Sequence, residues 1–211
     1  MEKENILLVE GPDDRSAITG LMDKHHVVRN FEFVIATGID NLLQKLDLYL
    51  KNAAAYGIIG VVVDADKNVD ARWQQLRDRL MKTGKYSCKK MPLAEEGMIV
   101  EADEPEQDAK VGIWIMPDNK YQGTLENFLL EMVPENDELM EEVENELVRL
   151  ETNKVKRYRD IDRNKAKVHT FLAWEENPGT SLYTAVVSRI LNPDAEIAKL
   201  FMDWMKRLYQ I

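Results

Sequence analysis

The apolar run at residues 58–63 constrains the fold more than any other part of the chain. Its sequence, Ile-Ile-Gly-Val-Val-Val, is apolar at consecutive positions and rich in β-branched residues. A strand with two apolar faces is typical of the centre of a parallel sheet that helices cover on both sides. The run therefore predicts a central parallel strand with helices above and below it.

Three more runs of strand length lie on either side of the central one, and helical patterns separate them. Leu42, Leu46 and Leu50, for example, recur at helical spacing. Strands that alternate with helices of this length form right-handed β-α-β units and a parallel sheet. The sequence predicts an α/β fold with a small parallel sheet of about four strands flanked by helices. The three further strands are predicted at residues 6–9, 31–36 and 111–116.

The chain after residue 132 carries only helical patterns. Apolar residues recur at helical spacing at residues 139–150 and again at 160–174. Asn192-Pro193 is a typical helix start, with a capping side chain before a proline, and it predicts the start of a last helix. We divide the chain into an α/β domain at residues 1–132 and a helical extension at 133–211 that packs on it. Residues 85–110 show no readable pattern.

Charge and cysteine content limit the classes of function. The chain has 211 residues and a formal net charge of -10, which excludes a basic, histone-like coat for nucleic acid. An enzyme that acts on nucleic acid is not excluded, because a local basic patch can lie on an acidic protein. The single cysteine, Cys88, permits no intramolecular disulfide, and the acidic first residues are unlike a signal peptide. Since no apolar stretch is long enough to span a bilayer, we expect a cytoplasmic protein without membrane contact.

Acids and bases are segregated along the chain. The stretches 95–108 and 131–146 hold seven and eight acids, respectively, and no base. Residues 154–167, which we call the basic segment, concentrate bases instead. This segment is either a phosphate-contacting surface for nucleic acid or a solvated helix face paired with the acids before it. Its bases are Lys154, Lys156, Arg157, Arg159, Arg163, Lys165 and Lys167.

Acidic side chains stand where two predicted strands end. Glu10 and Gly11 follow the first strand, and Asp64 and Asp66 follow the central strand as Asp-Ala-Asp. Because parallel strands end at one edge of the sheet, and residues two apart in an extended segment point to the same side, we expect these carboxylates to converge. Carboxylates at one edge repel each other unless a cation is present, and Mg²⁺ prefers oxygen ligands. The pattern predicts a magnesium site at this edge.

The same residues resemble the motifs of the Toprim domain, which topoisomerases, bacterial primases and several nucleases share. The motif residues are Leu-Leu-Val-Glu10-Gly11-Pro-Asp-Asp14 and Val-Val-Val-Asp64-Ala-Asp66. The resemblance covers about residues 5–131 of the chain. The Toprim fold, a small parallel sheet flanked by helices, agrees with the fold predicted above. The Glu-Gly element alone is a weak signal, but its combination with Asp-x-Asp after the third strand is fairly specific.

Within this group the chain resembles the overcoming-lysogenization-defect (OLD) nucleases. Asp14 lies four residues after Glu10, as in their Glu-x-x-x-Asp motif, and Gly123-Thr-Leu-Glu126 resembles a later motif whose Glu helps to hold a metal. Met116-Pro-Asp-Asn-Lys and His169-x-Phe-Leu-Ala-Trp-x-x-x-Pro-Gly add a likeness to an uncharacterised family of stand-alone bacterial Toprim proteins. No Gly-x-x-x-x-Gly-Lys-Ser/Thr motif is present, so a partner ATPase would have to supply any ATP hydrolysis.

The resemblance implies a phosphodiesterase that depends on Mg²⁺ or Mn²⁺. We expect a nuclease in bacterial or phage-related DNA metabolism or phage defence, with DNA favoured over RNA as its partner. Metal-activated water would attack the phosphodiester between two metals. Glu10 would bind a metal or act as general acid or base, and Lys120, ahead of Lys67, would place a cation near the scissile phosphate. The implied metal ligands are Glu10, Asp14 and Asp64 for one metal, with Asp66 and Glu126 nearer the second.

Each assignment also has a structural alternative. Asp66 could cap the helix that begins near Asn68, and Asp14 and Glu126 could interact with helix dipoles as acids in a first turn. The whole chain could likewise be a weakly catalytic or non-catalytic Toprim module that senses nucleotide or nucleic acid beside a partner such as an ATPase. A strand-transfer activity like that of primases or topoisomerases would need a nucleophile or nucleotide site that the sequence does not reveal. The helical C-terminal tail permits a homodimer without requiring one.

Overall fold

The computed structural model describes residues 3–211. Within this range the chain forms eight α-helices and one sheet of five strands. The strands are β1 (Glu4–Val9), β2 (Glu32–Ile35), β3 (Tyr56–Asp64), β4 (Met98–Val100) and β5 (Lys110–Met116). The helices are α1 (Pro12–Lys24), α2 (Ile39–Lys51), α3 (Val69–Lys82), α4 (Leu125–Glu131), α5 (Glu138–Thr152), α6 (Arg163–Trp174), α7 (Leu182–Val187) and α8 (Glu196–Tyr209).

The sheet has the strand order β2-β1-β3-β5-β4. The four predicted strands are present, they pair in parallel, and β3 lies at the centre. The predicted number of about four is one too few, because β4 adds an antiparallel edge strand beside β5. β4 is only three residues long, so it is too short to show a recognisable alternation in sequence. It lies within the unreadable region at residues 85–110.

Helices cover both faces of the sheet. Alternate strand residues point to opposite faces, so β1 sends Leu8 into one core and Leu7 into the other. Helices α2 and α3 pack on the Leu8 face. The Leu7 face is covered by α1 together with the helices from α4 to α8. The residues beyond 132 thus share a core with the sheet.

Helix α8 approaches the sheet closely because two strand residues on its side lack side chains. A Cβ atom at Gly60 would overlap the Tyr209 hydroxyl, and one at Gly112 would overlap the Leu208 side chain. The Tyr209 hydroxyl donates a hydrogen bond of 2.6 Å to the Ile6 carbonyl. The apolar face of α8 is therefore filled by the sheet rather than left open to a partner.

The predicted start of the last helix at Asn192 is wrong by a few residues. Asn192 Oδ1 accepts a hydrogen bond of 3.0 Å from the Asp194 backbone N–H, and α8 begins only at Glu196. The asparagine thus closes a turn with its side chain instead of capping the helix. No helix within residues 3–211 has both the length and the apolar character needed to cross a membrane.

Candidate functional site

The acidic residues at two neighbouring strand ends are in direct contact, through the Glu10 carboxylate and the Asp64 backbone. Asp64 is the last residue of β3, and Glu10 follows β1, which pairs with β3 in parallel. The backbone N–H of Asp64 donates a hydrogen bond of 2.9 Å to Glu10 Oε1. The structure thus brings Glu10 to Asp64, as expected for acids that follow adjacent parallel strands.

Asp64 also fixes the start of helix α4. Its Oδ1 accepts a hydrogen bond of 2.9 Å from the Leu125 backbone N–H, which is one of the free donors of a helix N-terminus. The loop that precedes α4 is held at the same strand end, because the Asp66 N–H donates a hydrogen bond of 2.9 Å to the Gly123 carbonyl. Glu126, in the first turn of α4, accepts a hydrogen bond of 2.7 Å from the Thr124 hydroxyl. These contacts place the Glu126 carboxylate close enough to Asp64 to repel it.

Asp14 lies behind the strand ends and caps helix α1. Asp14 is 6% exposed, and its Oδ2 accepts a hydrogen bond of 2.8 Å from the backbone N–H of Gly11, the N-cap residue of α1. The structural alternative for Asp14, a role at the helix N-terminus, is therefore present in the structure. The charge of Glu10 nevertheless acts on Asp14, so the cap also belongs to the acidic cluster.

Crowding of these acids changes their ionisation. Burial raises the pKa of Asp64 to about 8, and repulsion from Glu10, Asp14 and Glu126 adds to this, while the hydrogen bond from Leu125 opposes it. Burial likewise raises the pKa of Asp14 to about 7. Burial also raises the pKa of Glu10, against the Asp64 N–H and the charge of Arg72. Ionisation of all three acids at neutral pH is therefore unfavourable, and a nearby cation would favour it.

Asp66 reaches this region by a different backbone path from the one predicted. Its φ is +54°, so the extended conformation ends before it and the argument from strand alternation does not apply. Asp66 Oδ2 accepts a hydrogen bond of 2.6 Å from Arg72. The Nε of Arg72 also donates a hydrogen bond of 2.8 Å to the Asp64 carbonyl. Helix α3 is capped by Asn68, which accepts from the Ala71 N–H, so Asp66 is not its cap.

Arg72 is the residue at this site that sequence reasoning missed. It ties Asp66 to the end of β3, and its charge opposes the rise that burial causes in the pKa of Glu10. A basic residue near the start of the helix after Asp-x-Asp is a signal that could have identified it. The other missed residue is Thr124, whose position before Glu126 would have marked it as a helix cap.

A cleft of about 700 Å³ opens at this end of the sheet. We call it the carboxylate cleft. Glu10 and Asp14 do not line it. They lie behind Asp64 and influence the cleft through their effect on the pKa of Asp64. The loop before α4 forms one wall, and the start of α6 with the residues just before it forms the other. The lining residues that matter for chemistry are Asp64, Asp66, Lys67, Glu126, Asn164 and Lys165.

The predicted cations have different positions. Lys120 does not line the carboxylate cleft: its Nζ lies 3.1 Å from Glu95 Oε1, in a separate cleft beside Trp73. Lys67, the second choice, lines the carboxylate cleft. Lys165 lines it too, with its Nζ 3.7 Å from Glu126 Oε1. The two cations available to a ligand in this cleft are therefore Lys67 and Lys165.

Most of the basic segment is held by neighbouring acids. Arg163 contacts Glu144 at 2.5 Å and Glu151 at 2.9 Å, and Lys167 contacts Glu144 at 2.8 Å. These pairs join α6 to the acidic helix α5. This agrees with the alternative in which the basic segment is a helix face paired with the acids before it. Of the other five bases, Lys165 contacts Glu126, Lys156 pairs with Asp160, and Arg159 pairs with Asp162. Lys154 and Arg157 form no ion pair within the described residues.

The donor chemistry of the carboxylate cleft fits a hard divalent cation, because all its acidic ligands are carboxylate oxygens. Within residues 3–211, however, no group of three or more His, Cys, Asp or Glu side chains is already arranged as a metal cage. Glu10, Asp14 and Asp64 each use one oxygen to accept a backbone N–H. A cation would therefore have to bind the second oxygens or displace these bonds.

The fold and the cleft define a class: an α/β protein with a mostly parallel five-stranded sheet and a cluster of acids at the carboxyl ends of its strands. The chain belongs to the family described as "Protein of unknown function (DUF3226)", whose model matches residues 4–210. The match includes both the sheet and the helical extension. No curated protein and no solved structure matches the chain.

Proposed function

We propose that the protein is a magnesium-dependent phosphodiesterase of the Toprim type, acting as a nuclease on DNA in preference to RNA. The observation that carries the proposal is the contact of Glu10 with Asp64 at adjacent strand ends, beside a cleft that Glu126 also lines. Burial, and after it repulsion from the neighbouring acids, raises the pKa of Asp64 to about 8. Burying such charges is costly unless a cation compensates them.

In this proposal Asp64, Asp66 and Glu126 hold Mg²⁺ or Mn²⁺ in the carboxylate cleft. The ion would supply a Lewis acid for the phosphoryl oxygen and lower the pKa of a bound water. Glu10 orients Asp64 by accepting its N–H, in the manner of an outer-shell partner. Lys67 and Lys165 stand where they can contact phosphate oxygens. Asp14 contributes charge and holds the start of α1.

The test is cleavage of plasmid, linear and single-stranded DNA, and of RNA, with Mg²⁺ or Mn²⁺. Wild type is compared with Asp64→Asn and Glu10→Gln. Asp203→Asn is the matched control, because Asp203 is an exposed acid on α8 that lies near Lys206 and lines neither the carboxylate cleft nor any other cleft named here. The proposal predicts metal-dependent cleavage that both site variants lose and the control retains. Cleavage that persists in both site variants contradicts the assignment of these residues.

A second candidate is a Toprim-type binding module that regulates a partner such as an ATPase. It is favoured by the hydrogen bonds that Glu10, Asp14 and Asp64 accept from backbone N–H groups, because these give each acid a structural task. Thermal stabilisation by Mg²⁺ that Asp64→Asn abolishes, without cleavage of any substrate, would favour this module over the nuclease. Retention of a partner ATPase by the immobilised protein would then identify what it regulates.

A further inference from the structure

A second charged cleft lies at the opposite end of the sheet. It has a volume of about 370 Å³ and lies between the C-terminal ends of α2 and α3. Lys51 ends α2 and is separated from β3 only by a short 3-10 helix at Ala53–Ala55. We call it the amino-end cleft, because it lies where the parallel strands begin. Its charged lining residues are Asp47, Lys51, Arg79, Lys82 and Lys85.

Cations outnumber acids in the amino-end cleft by four to one. Arg79 is joined to Asp47 at 2.5 Å, and Lys85 is joined to Asp108 at 2.7 Å. Lys51 and Lys82 are exposed and form no ion pair within residues 3–211. Such a concentration on a chain with a net charge of -10 marks this cleft as a local exception to the acidic surface.

Helix dipoles explain part of this pattern, but not all of it. Cations in the last turn of a helix stabilise its negative end, and this accounts for Lys51 and Lys82 one at a time. It does not account for the convergence of cations from two helices and a loop on one cavity.

The two clefts are too far apart to share one small ligand. Strand β3 has nine residues, and at about 3.3 Å per residue its two ends lie roughly 26 Å apart. Lys51 lies before its first residue, and Asp64 is its last. Charges at this separation are screened from each other at physiological salt, where the Debye length is about 8 Å. A ligand of the amino-end cleft would therefore bind independently of metal in the carboxylate cleft.

We propose that the amino-end cleft is a binding site for a phosphate group, with Lys51 and Lys82 as its free cations and Arg79 and Lys85 as its fixed ones. Phosphate suits this set because lysines bind it as point charges and arginine adds directed N–H donors. The volume lies at the lower end of the range for ligand sites, roughly 300–1,000 Å³, so it fits a phosphate group with part of its ester. The phosphate is carried either by a free nucleotide or by a nucleic acid backbone.

The experiment measures binding in EDTA, so that no divalent metal occupies the carboxylate cleft and failure of the nuclease proposal leaves the result unaffected. The probes are inorganic phosphate and ATP, by calorimetry, and a fluorescein-labelled single-stranded oligonucleotide, by anisotropy. The test variant is Lys51→Glu/Lys82→Glu. The matched control is Lys90→Glu/Lys199→Glu, which changes the net charge equally at two exposed lysines outside both clefts and outside the basic segment. Lys51→Arg/Lys82→Arg keeps the charges and shows whether the site can be rescued.

The proposal predicts that wild type binds at least one probe and that the test variant weakens this binding by about tenfold or more, as expected for lost charge-assisted contacts. The control variant changes it by less than about twofold, and the arginine variant retains it. Binding of the oligonucleotide alone identifies a nucleic acid backbone, with a salt slope about 1 to 2 units shallower in the test variant. Binding of ATP or phosphate identifies a small ligand. The proposal is overturned by no binding of any probe, or by equal losses in the test and control variants.

Discussion

The two ends of the parallel sheet differ in the sign of their charge. At the carboxyl end, Glu10 and Asp64 are crowded into hydrogen-bonding distance by strands that pair side by side. At the amino end, Lys51 and Lys82 converge because two helices end there. The net charge of the chain conceals both features. The comparison teaches that in this fold the topology concentrates acids at one edge of the sheet and bases at the other, so the two proposed sites call for partners of opposite charge.

The largest effect is expected at the carboxyl end. Asp64→Asn removes one charge from the acidic cluster, and the loss of metal-dependent cleavage should exceed the roughly 10–100-fold typical of an outer-shell partner. Glu10→Gln keeps an oxygen that can accept the Asp64 N–H, so its loss should fall within that range. Initial cleavage rates against Mg²⁺ concentration measure both effects. Equal activity in Asp64→Asn and in the Asp203→Asn control would break the comparison between the two ends.

Stability should depend on pH through the same carboxyl group. The folded protein raises the pKa of Asp64 from 3.8 to about 8, so it holds this proton more tightly than the unfolded chain. The free energy of unfolding should therefore fall as pH rises from about 4 to about 8 in EDTA. Asp14, with its pKa raised to about 7, acts in the same direction.

Urea unfolding of wild type and Asp64→Asn at pH 5, 6.5 and 8 measures this dependence. Wild type should lose more stability across the range than the variant, since the variant lacks the titrating carboxyl group. Saturating Mg²⁺ should reduce the loss in wild type, because the ion stabilises the ionised carboxylates. Identical slopes for the two proteins in EDTA would show that Asp64 ionises as it does in the unfolded chain.

A smaller effect, on the free energy of unfolding, is expected from substitutions in the basic segment, because most of its bases are already paired with acids. Arg163→Gln breaks the contacts to Glu144 and Glu151, and it should lower the free energy of unfolding by about 1 kcal/mol, the upper range for partly exposed pairs. Lys154→Gln, which removes a base without an ion pair among the described residues, should have no measurable effect. A larger loss of oligonucleotide affinity than of stability in Arg163→Gln would instead favour the phosphate-contacting role.

Unfolding at acid pH tests the pairing of Arg163 and Lys167 with Glu144. Hydrogen bonds from Arg163 and Lys167 lower the pKa of Glu144 to about 2 from 4.5. The stability from this carboxylate is present above pH 4.5 and is lost as pH falls toward 2, which is the opposite sign from Asp64. Arg163→Gln should reduce this acid-induced loss. An unchanged acid transition would mean that Lys167 alone sustains the shift.

The smallest effect is expected when the charges of the amino-end cleft are reversed and the Mg²⁺ affinity of the carboxylate cleft is measured. Lys51→Glu/Lys82→Glu should leave the Mg²⁺ affinity within about twofold of wild type, because charges this far apart are screened. Calorimetric titration with Mg²⁺ measures it. A large change in metal affinity would show that the two ends are coupled and that they are not independent sites.

The sequence was sufficient for the elements that carry a periodic signal. The apolar runs predicted the four parallel strands, and the parallel arrangement predicted that Glu10 would meet Asp64. β4 was missed because three residues show no period, and the start of α8 was misplaced because Asn192 closes a turn. The need for glycine at positions 60 and 112 could not be predicted, because it depends on the close approach of α8 to the sheet.

Side-chain partners were harder to predict than elements. Lys120 follows β5 as expected but turns toward Glu95, and the bases of α6 are taken up by acids of α5. Such pairings depend on which helices become neighbours, and this is a tertiary property. The amino-end cleft was missed for the same reason, since its cations come from separate segments. A contiguous run of bases was easy to see, whereas a dispersed set became visible only in the fold.

The most direct test of the carboxylate cleft is a crystal of the protein soaked in Mn²⁺ and measured at an energy where manganese scatters anomalously. We predict an anomalous peak in contact with Asp64 and with Glu126 or Asp66, and no such peak in Asp64→Asn crystals treated identically. A peak absent from this cleft at saturating Mn²⁺, or present only elsewhere on the molecule, would contradict the claim that these acids form a metal site.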